Sequence, residues 1–317
     1  MNSSRCRCDV TYSEVSEAAA AAGFYAVGTL PCAKVDAEAA RRYVRWLEQG
    51  YHGTMTYLER YGDIRINPAL LLEGARSLIV GVIPYYHNVD AKSPGARLFA
   101  SYAHGTDYHT IVRQRLESVA DVLGKRHGGN FRAMVDTAPL RERYWARRAG
   151  VGFIGMNSQL IVPEAGSYFF IGSLLTTLEV EEGRPFAEIE LASLESRCES
   201  CRRCVKMCPG EAIIDGERRL DARRCLSYLT IEYRGEFPDA LRLGDHLYGC
   251  DECQKACPHN VSPALLTVGE LSLRPEIAAL TPEAVRQMTQ QQFSAIFRDS
   301  AVKRTKLAGL LRNVRHL

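Results

Sequence analysis

Apolar and polar positions alternate between two periods along the first 190 residues. Residues 14–23 (EVSEAAAAAG), 36–50 (DAEAARRYVRWLEQG) and 108–128 (YHTIVRQRLESVADVLGKRHG) have the spacing and composition of helices. Residues 77–86 (SLIVGVIPYY), 131–136 (FRAMVD) and the 158–180 stretch are rich in β-branched and aromatic residues and read as strands. This mixture predicts a layered α/β or α+β domain. Beyond residue 262 the pattern breaks into short helices, and neither repeats nor low-complexity segments are evident.

One stretch tests this reading. GVGFIG (150–155) satisfies the G-x-G-x-x-G pattern of a dinucleotide site, whose physics needs a strand entering the glycines and a helix leaving them. Here the order is reversed. PLRERYWARRA (139–149) has a proline at a plausible first helical position and good helix formers after it, whereas NSQLIVP and SYFFIGSLLTTLEV that follow read as strands. Gly150 is therefore expected to end a helix.

Composition narrows the class. The chain has 317 residues, 46% hydrophobic and 24% charged, with a net charge of +3 that is too small to announce nucleic-acid binding. No apolar run approaches the ~20 residues that cross a bilayer. The N-terminus lacks the apolar core of a signal peptide and a twin arginine, so a cytoplasmic protein without a membrane partner is expected. In that reducing compartment eleven cysteines point to metal or redox chemistry. Eight of them lie between 198 and 257. Cys6, Cys8 and Cys32 read as unligated thiols.

CESCRRCVKMCP places Cys198, Cys201, Cys204 and Cys208 in one tight run before Pro209. Cys225 stands alone, and CDECQKACP then brings Cys250, Cys253 and Cys257 before Pro258. A structural zinc site, the alternative, usually separates its two C-x-x-C hooks by a dozen residues or so. Three thiolates from one loop instead grip three corners of a cubane, while the fourth cysteine with its proline reaches to a second cluster. The spacing predicts two [4Fe-4S] clusters, one on Cys198, Cys201, Cys204 and Cys257, the other on Cys208, Cys225, Cys250 and Cys253. Cys225 is the ligand least defined by spacing, 17 residues after Cys208 and 25 before Cys250.

A simple electron carrier needs no large domain before its cysteines, and here 197 residues precede Cys198. SYAHGTDYH (101–109), VDTAPLRERYWARRAGVGFIGMNSQLIVPEAGSYFFIG (135–172), both cysteine groups and LYGCDECQKACPHN (247–260) resemble the epoxyqueuosine reductase family, over residues 15–317. That family performs the last step of queuosine synthesis on tRNA. The resemblance implies an α+β protein with three parts: a nitroreductase-like, cobalamin-binding catalytic domain (1–190), a ferredoxin-like two-cluster domain (191–262) and a helical C-terminal segment with a basic end (263–317). The corrinoid is expected between the first two. A monomer served by an external low-potential electron donor is the expected assembly.

Turning an epoxide into an alkene consumes two electrons and two protons and releases water. Clusters move one electron each, and reduced cobalt is a strong nucleophile. The family's proton donor is the aspartate of VDTAP, here Asp136. A carboxyl at the end of a strand, in a pocket closed by an apolar corrin, is expected to stay protonated near neutral pH. Without the surrounding motif, the same residue would read as a helix cap or turn. The resemblance also implies corrinoid contacts at Tyr57, Tyr102, Gly155, Asn157 and Ser158, besides Asp136. His104, His109 and His246 have the chemistry to ligate cobalt, but with no D-x-H-x-x-G motif present they read as solvated or hydrogen-bonded histidines.

Three positions depart from the family pattern: His104 for Arg, Phe153 for Trp and Met156 for Lys. For tRNA phosphates, Lys303, Arg304, Lys306, Arg312 and Arg315 form the first candidate patch, and Arg141, Arg143, Arg147 and Arg148 the second. Two other functions share some of these features. A reductive dehalogenase would use the same cofactors but usually carries a twin-arginine signal and a tyrosine donor; an electron carrier would leave VDTAP unexplained.

Overall fold

The computed structural model of the chain describes residues 8–90 and 92–317. Strand β2 (Ser77–Pro84), buried along its whole length, is the axis of the first layer. It pairs antiparallel with β1 (Ala26–Pro31) on one side and β6 (Phe169–Thr176) on the other, and β3 (Phe131–Met134) closes the far edge against β6.

Successive β2 side chains point to opposite faces. Ile79 and Ile83 pack with Val15 and Ala18 of the helix Tyr12–Ala21 and with Val112 and Leu116 of the helix Tyr108–His127. Leu78, Val80 and Val82 pack with Ala39 of the helix Ala37–Glu48 and with Trp145 and Ala146 of the helix Glu142–Arg148. Both faces are covered, which is why this antiparallel strand reads as an unbroken apolar run. The contact is close enough that a Cβ on Gly28 of β1 would lie 2.0 Å from the Ala149 carbonyl oxygen.

After Ala149 the chain turns at Gly150 (φ 73°) and enters a hairpin of β4 (Phe153–Ile154) and β5 (Leu160–Ile161). The order is helix, glycine, strand, as the sequence predicts. Three predicted elements are shorter than expected. The strand expected over 131–136 stops at Met134, and Asp136 sits beyond its end in the left-handed region (φ 45°). The helix expected from Pro139 starts at Glu142, and 157–163 contributes only two strand residues.

The cysteine-rich part begins with a helix, Glu188–Cys201, broken at Arg202 (φ 53°) and resumed as Arg203–Met207. A small hairpin, β7 (Ile213–Ile214) with β8 (Arg219–Leu220), and the helices Leu226–Ile231 and Glu252–Lys255 follow. Short C-terminal helices close a separate core, where Ile277, Val285, Phe297 and Leu310 surround Phe99 and Tyr248. Among the described residues, no helix is long and apolar enough to cross a membrane.

Candidate cofactor and active site

The eight cysteines fall into two spaces. Cys198 and Cys201 end one helix, and the left-handed Arg202 redirects the chain so that Cys204 comes from the next. With Cys257 they line a cavity of about 150 Å³ whose rim carries Arg197, Arg202 and Arg203. Cys208, Cys225, Cys250 and Cys253 line a different cavity, of about 580 Å³. Each run therefore sends its last cysteine to the other group.

Electrostatic neighbours follow the same division. Burial raises Cys257, reinforced by Cys198 and Cys201. Burial likewise raises Cys253 strongly, reinforced by Cys225, Cys250 and Cys208. Cys204 is pushed up to about 11 and Cys250 to about 12, chiefly by burial. Such thiols are protonated until a metal takes the proton's place. Among the described residues, no group of three or more His, Cys, Asp or Glu side chains closes around a single-ion position. Thiolates that each bind a different iron of a cubane need no such convergence.

The larger cavity also has an aromatic and polar wall. Tyr85, Tyr102, Tyr108, Phe169 and Phe170 line it, together with Asp136, Arg141, Glu142, Arg143 and Asn157. Asn157 borders both cavities, and its Nδ2 donates to the Cys253 carbonyl at 3.4 Å. Arg141 lies over the rings of Tyr43 and Tyr144, at 5.2 and 5.3 Å, and its buried Nη1 has no hydrogen-bond partner.

Asp136 is the centre of a polar cluster on the turn after β3. Its backbone N–H donates to Glu142 Oε1 at 2.6 Å. Its Oδ2 accepts from the Tyr108 hydroxyl at 2.7 Å and lies 3.2 Å from His109 Nε2. The other face of His109 is fixed by Asp107, the N-cap of the helix Tyr108–His127, with Nδ1 2.7 Å from Asp107 Oδ1. The Asp136 side chain is 58% accessible, and it lines the larger cavity.

This arrangement corrects one expectation. Burial does push the Asp136 carboxyl up, but the hydrogen bonds from His109 and Tyr108 and the nearby cations of His109 and Arg143 outweigh it, so its pKa is lowered. The carboxyl that is held protonated near neutrality is Glu142, pushed up to about 8 by burial and then by the charge of Asp136. Burial alone would lower His109, yet its bonds to Asp107 and Asp136 push it up to about 9. Sequence reasoning missed Glu142, Tyr108 and the role of His109. The helix-start pattern Asp-Tyr-His is their only local signal, and nothing in it points across to residue 136.

The other predicted contacts divide. Tyr102, Asn157 and Asp136 line the cavity, while Tyr57, Gly155 and Ser158 are not part of its lining. Tyr57 is close enough for its hydroxyl to be raised by Asp136, after burial and Glu232, and Arg304 lies 5.5 Å over its ring. Gly155 answers to the hairpin, since a Cβ there would lie 2.6 Å from Ile161 Cδ1. Ser158 occupies the left-handed turn position (φ 61°) and donates to the Arg218 carbonyl at 3.1 Å. The three departures from the family pattern, His104, Phe153 and Met156, are all buried away from the cavity lining. Burial holds His104 down at about 4, with Nε2 2.9 Å from the Phe99 carbonyl. His246 lies 3.9 Å from Cys250 Sγ.

The expected basic patches are dispersed. Arg312 is buried and donates to the carbonyls of Leu229, Tyr233 and Gly235, so it is a structural residue. Arg304 and Arg315 pair with Glu232 and Glu236, and Arg147 with Glu188 and Glu195. Lys303, Lys306, Arg143 and Arg148 remain exposed, and none forms an ion pair among the described residues. Of the thiols outside the two groups, Cys32 is half-buried, with its pKa raised by burial; Cys6 lies outside the described residues.

Comparison with known proteins agrees with this geometry. Residues 197–260 match the model of a 4Fe-4S double cluster binding domain, and residues 65–137 match the model described as epoxyqueuosine reductase QueG, DUF1730. The epoxyqueuosine reductase of Leadbetterella byssophila is 34% identical over 304 residues, 95% of this chain and 96% of that protein. The Escherichia coli enzyme is 36% identical over 279 residues, 85% of this chain and 71% of that protein. A crystal structure of epoxyqueuosine reductase with an epoxyqueuosine-modified tRNA-Tyr stem loop superposes with a TM-score of 0.83 at 28% identity, covering 95% of this chain and 79% of that one. A Bacillus subtilis epoxyqueuosine reductase with its catalytic aspartate loop swung out of the active site is similar at a TM-score of 0.82 and 28% identity, with the same coverage.

Proposed function

Because the chain belongs to the epoxyqueuosine reductase family, we propose that it reduces the epoxide of epoxyqueuosine in tRNA to the alkene of queuosine, inside the 580 Å³ cavity. One observation carries this reading. The second cysteine group and Asp136 line the same cavity, so electron delivery and proton delivery would converge there. The proposed parts are a catalytic domain over 1–190, a cluster domain over 191–262 and a helical C-terminal segment over 263–317.

The residues fit the groups this chemistry needs. The two cysteine sets have the donor type and number for two [4Fe-4S] clusters, which when bound supply electrons singly. The large cavity suits a corrinoid: its aromatic walls match a wide apolar macrocycle, and Asn157 and the unsatisfied Arg141 Nη1 can meet a rim of amides. When bound, a corrinoid supplies the reduced cobalt centre that reacts at the epoxide carbon.

The chain's own residues handle the oxygen. Tyr108 and His109 hold Oδ2 of Asp136, and Oδ1 accepts no hydrogen bond among the described residues. That leaves Oδ1 to meet the substrate. Glu142 anchors the backbone of the same turn through the Asp136 N–H. The proton given to the epoxide oxygen comes from this cluster as the C–O bond opens. The catalytic aspartate loop of the Bacillus subtilis relative, swung out of the active site in its structure, supports assigning this turn the central role.

The substrate is a tRNA stem loop, as in the complex formed by a relative. Its phosphates would meet the unpaired cations Lys303, Lys306, Arg143 and Arg148. A low-potential one-electron donor completes the balance of two electrons and two protons per water released.

The test is anaerobic reconstitution with iron, sulfide and cobalamin, followed by reaction with tRNA carrying epoxyqueuosine. Corrinoid binding, about eight irons per chain and conversion to queuosine are expected. Full clusters without corrinoid binding would favour an electron carrier, and corrinoid with no conversion would favour another reductive substrate.

A further inference from the structure

We propose that His109 is the proton-supplying partner of Asp136, oriented by Asp107, so that a carboxylate–imidazole–carboxylate chain leads from the partly exposed end of a helix into the cavity. The inference rests on the function proposed above and deepens it.

The geometry fixes each link. Asp107 Oδ1 accepts from the His109 backbone N–H at 3.0 Å and lies 2.7 Å from Nδ1. That second contact puts a proton on Nδ1 and turns Nε2 toward Asp136 Oδ2, 3.2 Å away. Both ring nitrogens therefore face carboxylate oxygens, and only the imidazolium can donate to both. The Tyr108 ring stacks on the imidazole with centroids 4.1 Å apart and places its hydroxyl on the same Oδ2. The ring has no free nitrogen for a metal, which removes His109 as a cobalt ligand.

The charges around it are accounted for. From its own helix His109 faces Asp107 and Tyr108, and from the turn after β3 it faces Asp136 with Glu142 and Arg143 behind. Lys303 and Tyr248 act on or near Asp107 from the C-terminal side. The two carboxylates in contact dominate, so the imidazole keeps its proton up to about pH 9, although burial alone would remove it.

An ionised Asp136 has no proton of its own to give, but the pair has one. In the step proposed, the Nε2–H bond of His109 breaks as an O–H bond forms on Asp136. The carboxyl turns about Cβ–Cγ and passes that proton to the epoxide oxygen as the C–O bond opens. The electron pair for this cleavage comes from the external one-electron donor in two transfers. Neutral His109 keeps its Nδ1 proton on Asp107 and takes a proton from cavity water back onto Nε2, and a second pass supplies the proton that lets the oxygen leave as water.

Single-turnover rates of the pre-reduced, fully loaded protein with saturating modified stem loop, measured against pH, test the proposal, alongside NMR titration of the His109 ring in the protein without substrate. The wild type should lose rate as pH rises through about 9, where the ring also titrates. In His109→Gln the rate near neutrality should fall about 10²-fold, with KM within about twofold, and recover on acidification as Asp136 itself becomes protonated. Asp107→Asn keeps an acceptor for Nδ1 but removes the charge, so ring titration and alkaline limb should both move toward about 6.5. It carries the test if His109→Gln fails to fold. An active wild type whose ring titrates at the ordinary value, or a His109→Gln variant with the wild-type profile, would overturn the proposal and leave the proposed function standing. A wild type inactive at every pH would sink the function itself.

Discussion

Two walls of one cavity do different work and are built by different means. The cysteine wall brings four thiols from three segments of chain, and its chemistry is set by what those thiols are. The Asp136 wall brings together groups with ordinary chemistry and shifts them against each other: His109 up to about 9, Glu142 up to about 8, Asp136 downward. Electron transfer needs fixed ligands, and a covalent spacing can encode those. Proton transfer near neutral pH needs displaced pKa values, which arise only when burial and partners meet in the fold.

The sharpest way to separate the walls is to break one at a time. Cys253→Ser removes a ligand of the second set only, so iron should fall from about eight to about four per chain and turnover should vanish, while the first set keeps its cluster. Equal loss from both sets would show that the cysteines do not act as two groups. Asp136→Asn should lower turnover by about 10²- to 10⁴-fold with metal and corrinoid content unchanged. A parental rate would remove Asp136 from the chemistry.

Glu142 offers a finer cut. Glu142→Gln keeps an oxygen for the Asp136 N–H and resembles the protonated acid, so turnover at neutral pH should stay within about twofold of the parent. Glu142→Ala leaves that N–H without its partner, and the displaced turn should lose about tenfold. The folded-state pKa of Glu142 lies above its ordinary value, so its protonated form contributes stability that is present below about 4.5 and lost as pH rises through about 8. Denaturation midpoints measured across that range should fall with pH in the parent, and less steeply in Glu142→Gln.

The smallest effects concern tRNA. Neutralising Lys303 and Lys306 should flatten the salt dependence of stem-loop binding by about one unit of slope per lost phosphate contact. Arg312→Ala should instead destabilise the C-terminal core by about 3 kcal/mol and leave that slope alone. A changed slope in Arg312→Ala would restore it to the RNA-binding set.

The same contrast explains what the chain shows before it folds. β2 and the long helix from Tyr108 were legible because burial on both faces, or on one stripe, leaves a period in the sequence. The cysteine groups were legible because a cubane needs three thiolates from one loop, and the swap of Cys208 and Cys257 followed from that constraint. Gly150 was legible from the order of elements around it. The end of β3 was not, because FRAMVD continues the apolar pattern while Asp136 turns left-handed under tertiary contacts. Its ionisation was misjudged because His109 stands 27 residues away along the chain and 3.2 Å away in space. Arg312 was misjudged for a similar reason: a basic run reads as surface, yet this buried guanidinium satisfies three backbone carbonyls.

The central claim is that electrons and protons meet in one cavity to reduce an epoxide. The most direct measurement is mass spectrometry of the modified nucleoside after a single turnover of the fully loaded, pre-reduced protein with tRNA carrying epoxyqueuosine. Loss of one oxygen atom, with two electrons consumed per nucleoside converted, is the predicted result. A protein with both clusters and corrinoid in place that leaves the epoxide intact would contradict it.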